Sequence, residues 1–429
     1  MNKPKETLIT GFALFSLFFG AGNLILPPFL GFNSGKDWLI VTLGFLISAV
    51  LLPIMAIFAH ARLQGTMFDF AKKVSPLFST IYCLCVYAIS VSLPSPRTAS
   101  VTHEIAIAPF LGTGSWLTSS VYFSLVLLFV LNRSKILDIL GRFLTPLIII
   151  ILLMIIGIGI FSPNEITTAG NYELPFVSGL LEGYQTFDAI GGVVVGGVII
   201  ISLNLKGYHS LLEKKLLISK AGVLAGIALL VIYSGLILTG AIFNGEFQLD
   251  ASRIELLTGI SKITLGNVGT TFLSVLVSLA CFTTAVGIVT GTADYFKGLF
   301  KGSQKAYIIT GVTASLLGVL MGQFDVHYII DIALPALMFI YPVTIVLIFL
   351  NTLPERYTGH LVFRAVVITT LVFSIPDFLG SVMISSLITS AKEFLPMGNH
   401  NLAWLLPSVL VFIIIRLFET FIKNKSFKI

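Results

Sequence analysis

The stretch Ser16-Leu17-Phe18-Phe19-Gly20-Ala21-Gly22-Asn23-Leu24-Ile25-Leu26-Pro27-Pro28 decides how this chain is read. It sits inside an apolar run long enough to cross a bilayer. Two glycines, two positions apart, lower helix propensity at its centre. An asparagine follows, and it would be costly facing lipid. Unwound backbone at membrane depth is tolerated only where protein buries it or where it lines a cavity. The stretch is therefore either a discontinuous helix with exposed amides and carbonyls or a small-residue face for helix packing.

The rest of the composition supports a lipid solvent. Of 429 residues, 56% are hydrophobic and 11% charged, against about 25% charged in soluble domains. Mean hydropathy is +0.99. These values exclude an ordinary soluble enzyme and a disordered chain. At roughly 20 apolar residues per span plus a connection, the length admits about 12 spans. The runs are 7–30, 38–61, 76–96 (or on to 110), 116–131, 143–161, 177–203, 216–243, 265–296, 306–322, 327–350, 361–386 and 402–422. The first follows Lys3 and Lys5 but has no convincing small-residue cleavage site, so it reads as a retained span rather than a signal peptide. Of the longer connections, 162–176 and 244–264, the second fits a short amphipathic helix at the outer surface.

The basic residues set the orientation. With the N-terminus inside, 21 of the 26 Lys and Arg fall in inner segments, including Arg133, Lys135 and Lys428. Only Lys36, Arg97, Arg253, Lys262 and Lys392 fall outside. An even number of spans with both termini cytoplasmic follows, and the net charge of +6 is explained without nucleic acid. Cys83, Cys85 and Cys281 lie in apolar runs with no zinc spacing and read as buried, inert thiols.

A second interruption falls in the sixth run, Glu182-Gly183-Tyr184-Gln185-Thr186-Phe187-Asp188-Ala189-Ile190-Gly191-Gly192. Asp188 is an ionisable group in or at the edge of a span, where a functional role is the default reading and interfacial solvation the alternative. Interruptions at matching places in two halves point to an inverted-repeat transporter. The halves would be residues 7–161 and 177–350 of a single membrane domain, 1–429, with 361–429 adding two helices and a cytoplasmic tail. Five spans per half force opposite topologies, which brings the two breaks together near the midplane. Half-helix N-termini then offer amides to a carboxylate, and freed carbonyls face an ammonium group or a cation. In the eighth run, Ala280, Thr283 and Thr284 either bond back along their own helix or supply oxygen ligands to a small alkali cation.

At these residues the chain resembles a known family, the bacterial branched-chain amino acid:cation symporters, or system II carriers. The resemblance rests on Phe18–Pro28, on Pro96-Arg97-Thr98-Ala99, on Tyr184–Ala189, and on Leu334-Pro335-Ala336-Leu337 through Tyr341-Pro342. It implies membership of the amino acid–polyamine–cation superfamily. The implied fold class is an all-α polytopic membrane protein of 12 transmembrane helices, with the five-plus-five inverted repeat of the leucine-transporter type and discontinuous helices 1 and 6. More distantly, Gly20-Ala21-Gly22-Asn23 is similar to the Gly-x-Gly-Asn of sodium-dependent neurotransmitter-type transporters. That likeness implies a substrate site at Gly20, Ala21, Gly22, Asn23 and Thr186, to which the residues' own pattern adds Phe187 and Asp188. It implies one sodium site at the carbonyls of Ser16, Phe19 and Ala280 with the hydroxyls of Thr283 and Thr284, and a second at Asn23 and Thr186. Asp188 departs from the pattern, since a small hydroxyl residue stands there in the neurotransmitter-type proteins; it either holds the substrate ammonium, binds a cation or carries a proton. Pro94, in Ser92-Leu93-Pro94-Ser95, is also extra, which leaves the end of span three open.

The implied activity is sodium- or proton-driven uptake of Leu, Ile and Val across the bacterial inner or plasma membrane. It needs no covalent cofactor, with Na+ or H+ as coupling ion. The alternative is proton-coupled or exchange transport of other small neutral amino acids. No Gly-x-Ser-x-Gly, His-Glu-x-x-His or Walker motif is present, and an enzyme is not expected. A channel would show filter loops or subunit symmetry, and the sequence shows neither. Arg97 reads either as an interfacial anchor or as an outer gate paired with Asp331 or Glu104. The gate reading predicts that leucine uptake lost in Arg97→Asp and in Asp331→Arg returns in the double exchange; uptake that stays lost counts against it.

Overall fold

Apolar segments in hydrocarbon can satisfy their backbone groups only by forming helices or closed barrels. A computed structural model describes residues 3–132, 139–166, 169–383, 390 and 392–426, and the described residues form helices and no strand. Arg133, Lys135 and Lys428 of the topology count, and the end of the run 361–386, lie outside the described residues. Among the described residues nine helical stretches are long and apolar enough to cross a membrane: Ala21–Leu63, Pro76–Leu111, Leu140–Ile160, Pro175–Leu205, Leu211–Ile242, Gly269–Leu299, Gln304–Met321, Val326–Thr352 and His360–Val382. The first of these is divided by a tight turn at Gly35–Asp37. Shorter or flanking apolar helices are Lys3–Phe18, Ser115–Leu131 and Leu405–Ser426. Within the described residues each apolar run read from the sequence falls on these helices, the first, 7–30, being shared by two of them. Side chains such as Leu39, Leu43, Ile150, Leu153, Ile309, Leu316, Ile368 and Val372 are exposed on the helix flanks, as lipid contact requires.

Three helices widen to π turns, at Ile47–Leu51, His103–Ile107 and Leu140–Leu144. Each turn is followed two residues later by a proline: Pro53, Pro109 and Pro146. Proline lacks the N–H that closes the preceding turn, and its ring crowds the carbonyl four residues earlier. The helix absorbs this by widening rather than breaking. Pro94 has another effect. The helix Pro76–Ser92 ends, Leu93 takes φ −121° and ψ −73°, and the helix restarts at Pro94. Arg97 therefore lies within a helix and is 3% exposed, which overturns the interfacial-anchor reading. Cys85 also corrects the sequence reading: it is exposed on its helix, while Cys83 and Cys281 are buried.

The chain divides into two compact units, residues 1–64 with 88–330, and residues 65–87 with 331–429. In the first, the interrupted N-terminal run packs against Leu211–Ile242 and Gly269–Leu299. The expected helix in 244–264 is present as Arg253–Leu265. Its start is fixed reciprocally: Glu255 N–H donates to Ser252 Oγ (3.2 Å) and Ser252 N–H to Glu255 Oε2 (2.8 Å). The Ser252 N–H, and after it the Ser252 side chain, bond the Glu255 carboxyl and hold it below its ordinary pKa. In the second unit, Asn351 Nδ2 donates to the Phe70 carbonyl (2.9 Å), and Arg364 Nε donates to that of Val74 (2.8 Å). Tyr82 and Thr344 share a hydroxyl bond of 2.9 Å.

One contact in the first unit leaves no room for a side chain. A Cβ on Gly31 would lie 1.8 Å from the Ile237 carbonyl oxygen, and one on Gly240 would lie 2.1 Å from that of Pro28. The helices Ala21–Ser34 and Leu211–Ile242 thus meet backbone to backbone. Gly31→Ala should lower the melting temperature of the purified protein, since overpacking costs about 1–3 kcal/mol. Gly197→Ala, where an added Cβ meets nothing within 4 Å, should not; equal behaviour of the two variants would refute the close approach.

Candidate functional site

The helix Lys3–Phe18 ends at the start of the quoted stretch, and a new helix begins at Ala21. A helix that stops leaves its last carbonyls without partners, and one that starts leaves its first amides free. Phe19 N–H still reaches the Phe15 carbonyl (2.8 Å). Gly20 is extended, with φ −119° and ψ −157°, and its N–H donates to Asn23 Oδ1 (3.1 Å) instead of continuing the helix. The freed carbonyls find hydroxyls on Gly269–Leu299. Thr283 Oγ1 donates to the Ser16 carbonyl (2.7 Å) and to that of its own-helix neighbour Ala280 (2.9 Å). Thr284 Oγ1 lies 3.5 Å from the Ser16 carbonyl and 3.4 Å from that of Leu17. A Cβ on Gly20 would sit 2.7 Å from Thr284 Oγ1. Ser16, Ala280, Thr283 and Thr284 are thus brought together as a cluster of neutral oxygens. Phe19, named with them from the sequence, turns its ring to stack on Phe15 (5.2 Å) and Tyr233 (5.9 Å).

The second interruption lies between Pro175–Glu182 and Asp188–Leu205, joined by a tight turn at Gly183–Thr186. Phe187 adopts φ +63°, ψ 11°, a left-handed conformation that costs a non-glycine residue about 1–3 kcal/mol. Thr186 Oγ1 donates to the Gly183 carbonyl (2.8 Å) and accepts from Asp188 N–H (3.2 Å). It therefore bridges the turn and the new helix.

The two interruptions meet at Asp188, which is 3% exposed. Its Oδ2 accepts from Asn23 Nδ2 (2.6 Å) and from the Tyr233 hydroxyl (3.0 Å), and Asn23 Nδ2 also bonds that hydroxyl. Two donors thus converge on one carboxylate oxygen. Tyr233 was absent from the sequence reading. The available clue was a tyrosine in the middle of a 32-residue apolar helix, whose buried hydroxyl needs a partner. Phe45 meets the Tyr233 ring edge-on at 5.4 Å and fixes it.

A cavity of about 30 Å3 lies between the breaks, lined by Leu17, Phe18, Thr186, Phe187, Asp188 and Thr284 among others. It holds little more than water, so a larger ligand requires the lining to open. Arg97 meets one wall residue of the cavity, its guanidinium 5.4 Å from the centre of the Phe187 ring, while Nη2 donates to the Gln185 carbonyl (2.9 Å). Glu104 accepts from Val326 N–H (3.0 Å). Asp331 belongs to the second unit.

Solved structures share this architecture. MhsT, in complex with L-phenylalanine, matches with a TM-score of 0.56 at 16% identity, covering 95% of this chain and 97% of that one. A Na+-coupled sialic acid symporter matches with a TM-score of 0.56 at 13% identity, over 96% and 90% of the two chains. The chain is a polytopic all-α membrane protein of the leucine-transporter fold type: a transporter, not an enzyme. The family model for "Branched-chain amino acid transport protein" matches residues 3–422. The branched-chain amino acid transport system 2 carrier protein of Pseudomonas aeruginosa is 34% identical over 415 residues, 94% of each chain. This chain belongs to the branched-chain amino acid transport protein family.

Tyr233→Phe removes one of the two donors to Asp188. A net loss of about 1 kcal/mol per hydrogen bond should raise the leucine concentration for half-maximal uptake about fivefold. An unchanged value would remove Tyr233 from the site.

Proposed function

We propose that this protein is a sodium-coupled secondary transporter that takes up leucine, isoleucine and valine by alternating access, through twelve spans with both termini cytoplasmic. Membership of the branched-chain family and the basic-residue asymmetry support the substrate class and the orientation. The observation that carries the coupling ion is the oxygen cluster at the end of the first half-helix. There the Ser16 and Ala280 carbonyls and the Thr283 and Thr284 hydroxyls converge. Neutral carbonyl and hydroxyl oxygens suit a hard cation, and no carboxylate is needed. In the loaded state the two hydroxyls turn their lone pairs to sodium.

The substrate occupies the space between the breaks. Its ammonium group is taken by Asp188, supported by Asn23, Tyr233 and Thr186. Its carboxylate meets the first-turn amides at Ala21 and Gly22, next to Gly20. Phe18, Phe187, Leu17 and Ile288 line the cavity and give the side chain an apolar wall. Such a wall separates side chains by only about 1–3 kcal/mol per methylene, so the three branched-chain amino acids compete for one site. Sodium and substrate share the broken first span, and each raises the other's affinity by the same factor.

A second reading couples to protons through Asp188, because it is a carboxyl group fully buried at the junction of the breaks. Uptake of labelled leucine into proteoliposomes, with sodium and proton gradients imposed separately, distinguishes the two. A sodium gradient should drive accumulation alone, and Thr284→Ala should raise the sodium required about tenfold, the effect of about 1.4 kcal/mol. Accumulation driven only by a proton gradient, and abolished by Asp188→Asn, would replace sodium by proton. Accumulation with neither gradient would end the symport reading.

A further inference from the structure

Arg97 is the most deeply buried cation beside the broken spans. The residue is 3% exposed, and Nη2 is held by the Gln185 carbonyl at 2.9 Å. The guanidinium covers the Phe187 ring at 5.4 Å from its centre. Its Nε is buried and has no hydrogen-bond partner among the described residues. A buried donor left unpaired on a charged group carries the full cost of its desolvation. Such a group persists where a ligand completes it.

The direction of the guanidinium indicates the ligand. A Cβ on Gly22 would stand 2.5 Å from Arg97 Nη2 and 3.2 Å from the Gln185 carbonyl oxygen. The arginine therefore lies directly against the first turn of the helix Ala21–Ser34, where the amides have no partner within the helix. Only a residue without a side chain at position 22 leaves that approach open. A guanidinium and helix N-terminal amides aimed at one volume form a receptor for a carboxylate. The opposite charge is supplied one residue beyond Phe187 by Asp188, turned towards Asn23 and Tyr233. A basic and an acidic side chain thus stand on either side of Phe187, a residue of the cavity wall, as the two ends of a zwitterion require.

We propose that Arg97 binds the α-carboxylate of the transported amino acid, its free Nε completing a set with the amides at Ala21 and Gly22. This rests on the amino acid transport reading given above and assigns it a carboxylate-selecting residue. The Gln185 bond holds the guanidinium in place, while Phe187 separates its charge from the apolar part of the cavity. Arg97 in this role selects amino acids over the corresponding amines and amides, independently of side chain.

The experiment compares leucine with leucinamide, which keeps the ammonium group and the side chain but lacks the carboxylate. Binding of each is measured calorimetrically to the full-length protein in lipid nanodiscs, in sodium buffer. Wild type should prefer leucine strongly. Arg97→Gln should weaken leucine while leaving leucinamide nearly unchanged. The preference then falls about tenfold or more, the worth of a charge-assisted hydrogen bond. Arg97→Lys keeps the charge without the planar fork and should give an intermediate preference; it decides the matter if Arg97→Gln is not recovered folded. Equal weakening of both ligands, or an unchanged preference, would show that Arg97 only supports the fold and would overturn the assignment. Recovery of transport in Arg97→Asp with Asp331→Arg would also overturn it, because an aspartate cannot take a carboxylate. If wild type binds neither leucine, isoleucine nor valine, the transport reading itself fails. A wild type that binds leucine with an unchanged variant preference refutes the role of Arg97 alone.

Discussion

Every part of this site depends on the backbone groups released where the first span breaks. In hydrocarbon an unpaired carbonyl or amide has no water to turn to, so a break in a helix must be matched by partners from elsewhere. Asn23 caps Gly20 from three residues ahead, and the two threonines of Gly269–Leu299 reach the carbonyls of Ser16 and Leu17. These partners are side chains that can change partner, unlike the helical bonds they replace. In the proposed mechanism a cation takes the place of the hydroxyl protons around the same oxygens. The break is thereby both the cost that the fold must offset and, in the proposed mechanism, the place where an ion would bind.

Asn23 joins the two interruptions. Its oxygen is committed to Gly20 in its own span, and its nitrogen to Asp188 in the sixth and Tyr233 in the seventh run. A charged carboxylate in a low-dielectric interior is tolerated only when donors converge on it. Here an amide and a phenol do so, with aromatic rings from Phe19 and Phe45 holding the phenol. The left-handed Phe187 belongs to the same arrangement. Its strained backbone turns the chain so that Asp188 begins a helix beside Asn23, and its ring, part of the cavity wall, carries the Arg97 guanidinium on its face.

What could be read in the sequence follows from how local each cause is. The membrane fold was legible because repeated apolar runs of about 20 residues match the thickness of a bilayer and leave a soluble fold too few charges for its surface. Both interruptions were legible, since glycine pairs and an aspartate inside such runs conflict with an unbroken helix. The π turns were not, although Pro53, Pro109 and Pro146 stood in view: a proline can kink, widen or end a helix, and the packing of neighbouring helices decides which. Arg97 was assigned outside because a single arginine near the end of an apolar run looks like a topology marker. Its burial follows from the helix restarting at Pro94 and from the bare backbone of Gly22, a contact between residues 75 positions apart. Tyr233 was missed for a similar reason. Nothing near it in sequence marks it as polar in function, and only the fold brings it to Asp188, 45 residues away.

The shared break also constrains how ion and substrate affect each other. The Ser16 and Leu17 carbonyls end one half-helix, while Ala21 and Gly22 begin the next, and only Phe18, Phe19 and Gly20 lie between. A cation at the carbonyl end stabilises the orientation of the first half-helix through its partial negative terminus, and a carboxylate at the amide end stabilises that of the second. Neither ligand needs to touch the other for their affinities to be coupled. Each favours the backbone geometry at Gly20 on which the other depends, and Gly20 packs directly on Thr284. Coupling of this kind is reciprocal by linkage and requires an ion beside the substrate, which a proton on Asp188 would supply from the opposite side of the cavity. On the proposed reading the oxygen cluster would act through the first span and the carboxylate through the sixth, so the identity of the coupling ion is also a question of which half of the structure holds the other in register.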